Sequence, residues 1–95
     1  MRLVEPTDFE IIDALGDGRR NNAANLAYLL EKDRSYLNTR LPVLADFGLV
    51  ERVGPAPNSG LYTITDRGLA ALEYRDRYGD PDVDFDALLA ERTGE

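Results

Sequence analysis

Residues 26–50, LAYLLEKDRSYLNTRLPVLADFGLV, constrain the fold of this 95-residue chain more than any other stretch. Leu26 and Ala27 lie within an apolar helical pattern that ends in a short polar turn at residues 31–33. Leu37, Leu41 and Leu44 then recur at the spacing of one side of a second helix, and Gly48 stops that helix before Leu49 and Val50. Two short helices that cross at a steep angle need a small residue where they touch, and Ala27 supplies it. This spacing predicts a helix-turn-helix.

The flanking sequence extends the unit. Thr7-x-x-Glu10 reads as a capping box opening a first helix, with Phe9, Ile12 and Leu15 at helical spacing. Gly16-Asp17-Gly18 ends that helix, and residues 19–21 suit a short strand against a later hairpin. Asn21 or Asn22 caps the second helix, whose Ala23, Leu26, Ala27 and Leu30 share a face. Asp33 is the natural N-cap of the third helix, where its carboxylate also suits the positive helix end. That helix is expected to reach Phe47, with Gly48 in the left-handed position beyond it.

Strands are expected over residues 49–53 and 61–65, joined by the loop GPAPNSG into a β-hairpin. Thr65 or Asp66 caps a fourth helix that carries Leu69, Leu72 and Tyr74 and extends to Tyr78. Gly79-Asp80-Pro81 breaks the chain, and Asp84 caps a last helix with Phe85, Leu88 and Leu89 on one side. The expected class is mainly α with a small β-hairpin, in the order α-(β)-α-α-β-β-α plus a short C-terminal helix. A hairpin directly after a helix-turn-helix is a wing, so the expected architecture is a winged helix-turn-helix. Its domain spans residues 1–79, followed by an acidic helical segment over 80–95.

Composition excludes several kinds of chemistry. The chain has no Cys and no His, which removes disulfides, thiolate or imidazole metal sites, and Cys, His or Ser–His nucleophilic catalysis. No nucleotide-binding loop or nucleophile elbow occurs, and nothing brings two carboxylates into a cleft. No catalytic residue, enzyme activity or cofactor is therefore expected. Asp80, Asp82, Asp84, Asp86 and Glu91 match the acid spacing of a calcium loop, but Phe85 stands where its sharp turn needs Gly. A solvated acidic segment, without a metal, is the expectation there. No run of 18 apolar residues suggests a membrane span, and no apolar segment near the N-terminus suggests a secretory signal, so a cytoplasmic location is expected.

Eleven basic and eighteen acidic residues leave a net charge of −7, which is unusual for a nucleic-acid partner. The charge is unevenly spread: residues 80–95 hold six acids and one Arg, whereas residues 19–67 hold seven bases and five acids. All the bases but Lys32 are Arg. An acidic, Lys-poor chain suits a high-salt cytoplasm, where dense carboxylates hold a hydration shell. The alternative is an ordinary acidic domain rich in Arg.

The third helix carries the most suggestive side chains. With Leu37, Leu41 and Leu44 on the core, Arg34, Ser35, Asn38 and Thr39 point the other way, with Tyr36 and Arg40 on the flanks. Asn pairs with adenine and Arg with guanine through two hydrogen bonds, and hydroxyls hold phosphates. No acid occurs from Arg34 to Leu41. Arg19, Arg20 and Asn22 precede the second helix, whose free N–H groups favour anions. Arg52, Asn58 and Ser59 are the candidates in the wing, whose Pro55 and Pro57 stiffen the loop. Pro42 removes the hydrogen bond to the Asn38 carbonyl, and a kink there is expected to let residues 34–40 enter a groove while 43–47 stay on the core.

The string YLNTRLPVLADFGLVERVGPAPNSGLYTIT, preceded by GRRNNAANLAYLL, resembles the haloarchaeal winged-helix regulators related to the phage phi-H repressor, over residues 7–75. The resemblance implies a DNA-binding transcriptional regulator in a salt-rich cytoplasm. The leading expectation is a sequence-specific regulator of double-stranded DNA, acting as a repressor, with its third helix in the major groove and its wing on the backbone or minor groove. The alternative is a winged-helix protein–protein interaction module. Charge reversal at Arg34 and Arg40 would separate the two. Tyr74, Tyr78, Phe85, Leu88 and Leu89 either pack on the first helix or join two subunits as a homodimer through the first and C-terminal helices.

Overall fold

The computed structural model describes residues 1–56 and 59–95. Among them are α1 (Thr7–Ala14), α2 (Ala23–Leu30), α3 (Arg34–Asp46), β1 (Val50–Val53), β2 (Leu61–Ile64), α4 (Asp66–Glu73), a 3-10 turn (Arg75–Arg77) and α5 (Phe85–Thr93). The chain is mainly helical, with one two-stranded antiparallel sheet.

α1 seats Phe9, Ile11, Ile12 and Leu15 in the core with no exposure. Its start differs from the expected capping box. Thr7 is already helical and buried, and the N-cap position falls on Pro6, which offers no side-chain oxygen. Asp8 reaches back instead, its Oδ2 accepting the Val4 N–H at 2.7 Å. Glu10 turns to Lys32, whose Nζ lies 3.1 Å from Glu10 Oε1 without the alignment of a hydrogen bond. A partner distant in sequence has drawn the Glu10 carboxylate away from the local motif.

The next two helices follow the sequence closely. Asn22 Oδ1 accepts the Asn25 N–H at 2.8 Å and caps α2. Asp33 Oδ1 accepts the Ser35 N–H at 2.9 Å and caps α3. α2 packs on α3, and Leu26, Leu37, Leu41 and Leu44 are buried between them and α1. Each buried Leu contributes about 1.5–3 kcal/mol by leaving water. α3 runs without interruption through Pro42, and Leu37 and Leu41 before it and Leu44 beyond it form one buried ridge.

The turn between α2 and α3 passes through Glu31 at φ 55°, ψ 46°, a left-handed conformation that crowds a Cβ. Glu31→Gly should raise stability by about 0.5–1 kcal/mol, because relief of that crowding exceeds the added entropy of the unfolded chain. An unchanged or lower urea midpoint would show that the turn carries no such strain.

β1 and β2 pair with Val50 opposite Ile64 and Arg52 opposite Tyr62. Residues 19–21 do not form a strand; the contact reduces to one bridge, in which Asn21 and Tyr62 exchange both backbone hydrogen bonds at 3.0 and 2.8 Å. Thr65 caps α4 by accepting the Gly68 N–H at 3.0 Å. α4 is shorter than expected, and Arg75–Arg77 follow as a 3-10 turn. Its buried residues are Gly68, Ala70 and Ala71, whereas Leu69 is 45% exposed and Leu72 half-buried. Gly68 lies so close to the Leu49 carbonyl, just before β1, and to Ile64 on β2 that no side chain fits there.

Asp84 caps α5 through the Ala87 N–H at 3.1 Å. Phe85 and Leu89 sit in the same core as α1 and α4. Phe9, Tyr78 and Phe85 stack edge to face, with ring centroids 5.2–6.5 Å apart. Tyr78 and Phe85 pack on Phe9 of α1, and Phe85 and Leu89 carry residues 80–95 onto that core.

Candidate nucleic-acid interface

α3 displays one continuous polar face because its apolar residues are gathered on the opposite ridge. Arg34, Ser35, Asn38 and Thr39 are all exposed. The Thr39 hydroxyl donates to the Ser35 carbonyl at 3.1 Å, which orients both residues along the helix surface. Tyr36 is exposed on the flank. No carboxylate occurs on α3 before Asp46. The face therefore carries one full positive charge, at Arg34, with amide and hydroxyl groups able to donate and accept.

Arg40 lies elsewhere. Its Nε and Nη2 donate to the two carboxylate oxygens of Asp8 at 3.0 and 2.7 Å. The Asp8 side chain is fully buried and that of Arg40 is 14% exposed. The hydrogen bond to Asp8 raises the Arg40 pKa above its ordinary value despite the opposing effect of burial. Arg40 was expected beside Arg34 on the exposed surface; instead it points back across α1. Reversing its charge would place two carboxylates together in the core, so it does not serve the comparison for which it was first suited.

Arg19 and Arg20 are exposed on the segment that leads into α2. Arg19 lies 3.7 Å from the Asp17 carboxylate, a loose surface pair worth little. The Asn21–Tyr62 bridge brings this segment alongside the hairpin. Asn22 follows, but its side-chain oxygen is committed to the α2 cap. On β1, the Arg52 Nε donates to the Tyr62 hydroxyl at 3.0 Å, and its guanidinium carbon sits 5.8 Å from the centre of that ring. Tyr62 is buried and held by Asn21, so Arg52 is exposed yet pre-oriented.

The hairpin loop contributes less. Ser59 is exposed, but its hydroxyl donates to the Val53 carbonyl and closes the loop on itself. Asn58 lies outside the described residues. Among the described residues, Arg20, Arg34 and Arg52 have no carboxylate within ion-pair distance, whereas Lys32 and Arg40 are paired with Glu10 and Asp8.

Two residues of consequence had no signal in the sequence. Asp8 lies 32 residues before Arg40, and Tyr62 read only as an apolar strand residue. Tyr28 and Leu29, which lie off the α2 face formed by Ala23, Leu26, Ala27 and Leu30, are 85% and 60% exposed.

Within residues 80–95, Asp80, Asp84 and Asp86 have partners within the chain. Asp80 accepts the Asp82 N–H at 2.9 Å, Asp84 caps α5, and Asp86 meets Arg67 at 3.1 Å. Among the described residues no group of three or more acids is gathered as a metal ion would require, and no helix is long and apolar enough to cross a membrane. Comparison with family models, with curated proteins and with solved structures returns no match.

Proposed function

We propose that the chain is a winged helix-turn-helix regulator that binds double-stranded DNA in a sequence-specific manner and acts as a repressor in a salt-rich cytoplasm, as its resemblance to haloarchaeal regulators implies. The observation that carries this reading is the outer face of α3: Arg34, Ser35, Asn38 and Thr39 are exposed together, free of acids, on a helix whose other side is fixed in the core. In this reading α3 enters the major groove and Asn38 and Arg34 meet base edges. Arg20, ahead of the capped α2 start, and Arg52, on the hairpin that serves as the wing, meet phosphates.

The test is a pair of substitutions that leave the core untouched, Arg20→Glu with Arg34→Glu. The variant should fold like the parent and bind duplexes at least tenfold more weakly, measured by fluorescence anisotropy on the sequence that the parent selects from a random duplex pool at molar salt. The two guanidinium charges that meet phosphate, Arg20 and Arg52, would make affinity fall with salt in the ordinary way, but at about 1 M the screening length is only about 3 Å and the repulsion from the acidic C-terminal region fades. A shallow salt dependence is therefore expected. Unaltered binding in the charge-reversed variant, or no duplex binding by the parent at any salt, would overturn the proposal.

A second reading keeps the same fold as a protein-interaction module. The exposure of Tyr28 and Leu29 on α2 favours it, since large apolar side chains left in water often mark a protein contact. In that case Tyr28→Ser with Leu29→Ser abolishes partner binding while the arginine substitutions do not. Among the described residues the same pair is the most exposed apolar surface a homodimer could use, because Phe85 and Leu89 are already buried within one chain.

A further inference from the structure

The ion pair between Asp8 and Arg40 joins the middle of α3 to α1 and is the most enclosed charged contact among the described residues. Asp8 is saturated: it accepts two N–H groups from Arg40 and the Val4 backbone N–H. A guanidinium meeting a carboxylate through two parallel bonds fixes orientation as well as distance, which apolar contact does not.

The core contact of α3 runs through Leu37, Leu41 and Leu44, with Ala45 and Phe47 packed beside them, and such apolar contact is non-directional. The two ends of the helix are tied along the axis, by the Asp33 cap and by Arg67, whose Nε donates to the Phe47 carbonyl at 3.0 Å. Arg40 is tied sideways. Two residues later Pro42 has no N–H for the Asn38 carbonyl, so the half of the helix that carries Ser35, Asn38 and Thr39 is joined to the rest by one bond fewer. The Asp8–Arg40 contact lies within that half.

We propose that Arg40 is a positioning residue: clamped by Asp8, it sets the roll of α3 about its axis and so decides which of Ser35, Asn38 and Thr39 faces a base edge. This inference rests on the DNA-binding reading above. It assigns Arg40 to sequence preference without contact to the nucleic acid.

Two variants test it. Arg40→Lys keeps the charge but loses the two-pronged contact. Asp8→Leu with Arg40→Met removes both charges, which avoids leaving one buried alone. The parent first selects a preferred sequence from a random duplex pool. Affinities for that duplex and for a scrambled one of the same composition are then measured, together with the melting temperature. Both variants should keep a cooperative melt and bind the scrambled duplex within about twofold of the parent, while the preference between the two duplexes falls about tenfold, the loss of one good base contact. Equal weakening on both duplexes, in step with melting temperature, would make the pair a stabilising contact only and overturn the inference, as would a preference that survives intact in Arg40→Lys. If the parent binds no duplex, the DNA reading itself fails, an outcome distinct from these.

Discussion

Asp8→Ala should cost the protein about 3 kcal/mol or more, the largest loss expected from any charged side chain here. The substitution strands the Arg40 guanidinium, 14% exposed, without its carboxylate and also leaves the Val4 N–H without its acceptor. A buried pair gains little over an apolar pair, because desolvation cancels most of the attraction, but breaking it from one side leaves that desolvation uncompensated. Against a total stability of about 5–15 kcal/mol for a domain of this kind, the loss is a large fraction. Urea unfolding should show a much lower midpoint with an unchanged slope. Replacing both members, as in Asp8→Leu with Arg40→Met, should recover the part of the loss due to the lone charge, while the Val4 N–H still lacks its acceptor. A fall of less than about 1 kcal/mol in Asp8→Ala would mean that water already reaches the pair and supports Arg40.

Gly68→Ala should be nearly as damaging, against the rule that Ala improves a helix. A Cβ at position 68 would stand 2.2 Å from the Leu49 carbonyl oxygen and 2.7 Å from Ile64 Cγ1. The first of these is backbone, so no rotamer change relieves it. Nor does α4 move away freely: the Leu49 carbonyl accepts the Thr65 N–H at 3.1 Å, and Thr65 in turn caps the helix through Gly68. The helix propensity gained by Ala is about 1 kcal/mol. Overpacking of this kind costs about 3 kcal/mol at the upper end of its usual range, so the clash outweighs the gain. The net loss of about 2 kcal/mol corresponds to a melting temperature lower by about 8–16 °C. Leu69→Ala, one residue along on the exposed side, should change little. A melting temperature for Gly68→Ala equal to the parent's would show that α4 has room to withdraw from β1.

The parts of the fold that were legible are those set by neighbours in sequence. Asn22, Asp33, Thr65 and Asp84 each cap the helix they precede, since a cap needs only a side-chain oxygen and an N–H two or three residues on. Leu37, Leu41 and Leu44 face the core because their spacing allows nothing else once one side of the helix is buried. The parts that were misread are those where a distant group intervened. Thr7 and Glu10 hold the pattern of a capping box, yet Thr7 is buried and Glu10 is drawn to Lys32. Leu69, expected on the apolar side of α4, is exposed, and the buried face runs through Gly68, Ala70 and Ala71 with Leu72 partly buried against the core. Small residues give a weak apolar signal, so a contact defined by their smallness leaves little trace in a periodicity.

The candidate site divides along the same line. The exposed α3 residues Arg34, Ser35, Asn38 and Thr39 follow from the periodicity of one helix, and the sequence by itself determined them. Arg40 shares that stretch and that chemistry, and only the tertiary structure decided that it turns inward. Its partner, Asp8, comes from a different helix, and no spacing rule links the two. The same holds for Arg52, which is oriented by Tyr62 across the hairpin. Local geometry is dictated by bonds a few residues long and is written in the order of side chains. The destination of a charged side chain depends on which opposite charge the folded chain brings within about 3 Å of it, and that is known only once the helices have packed.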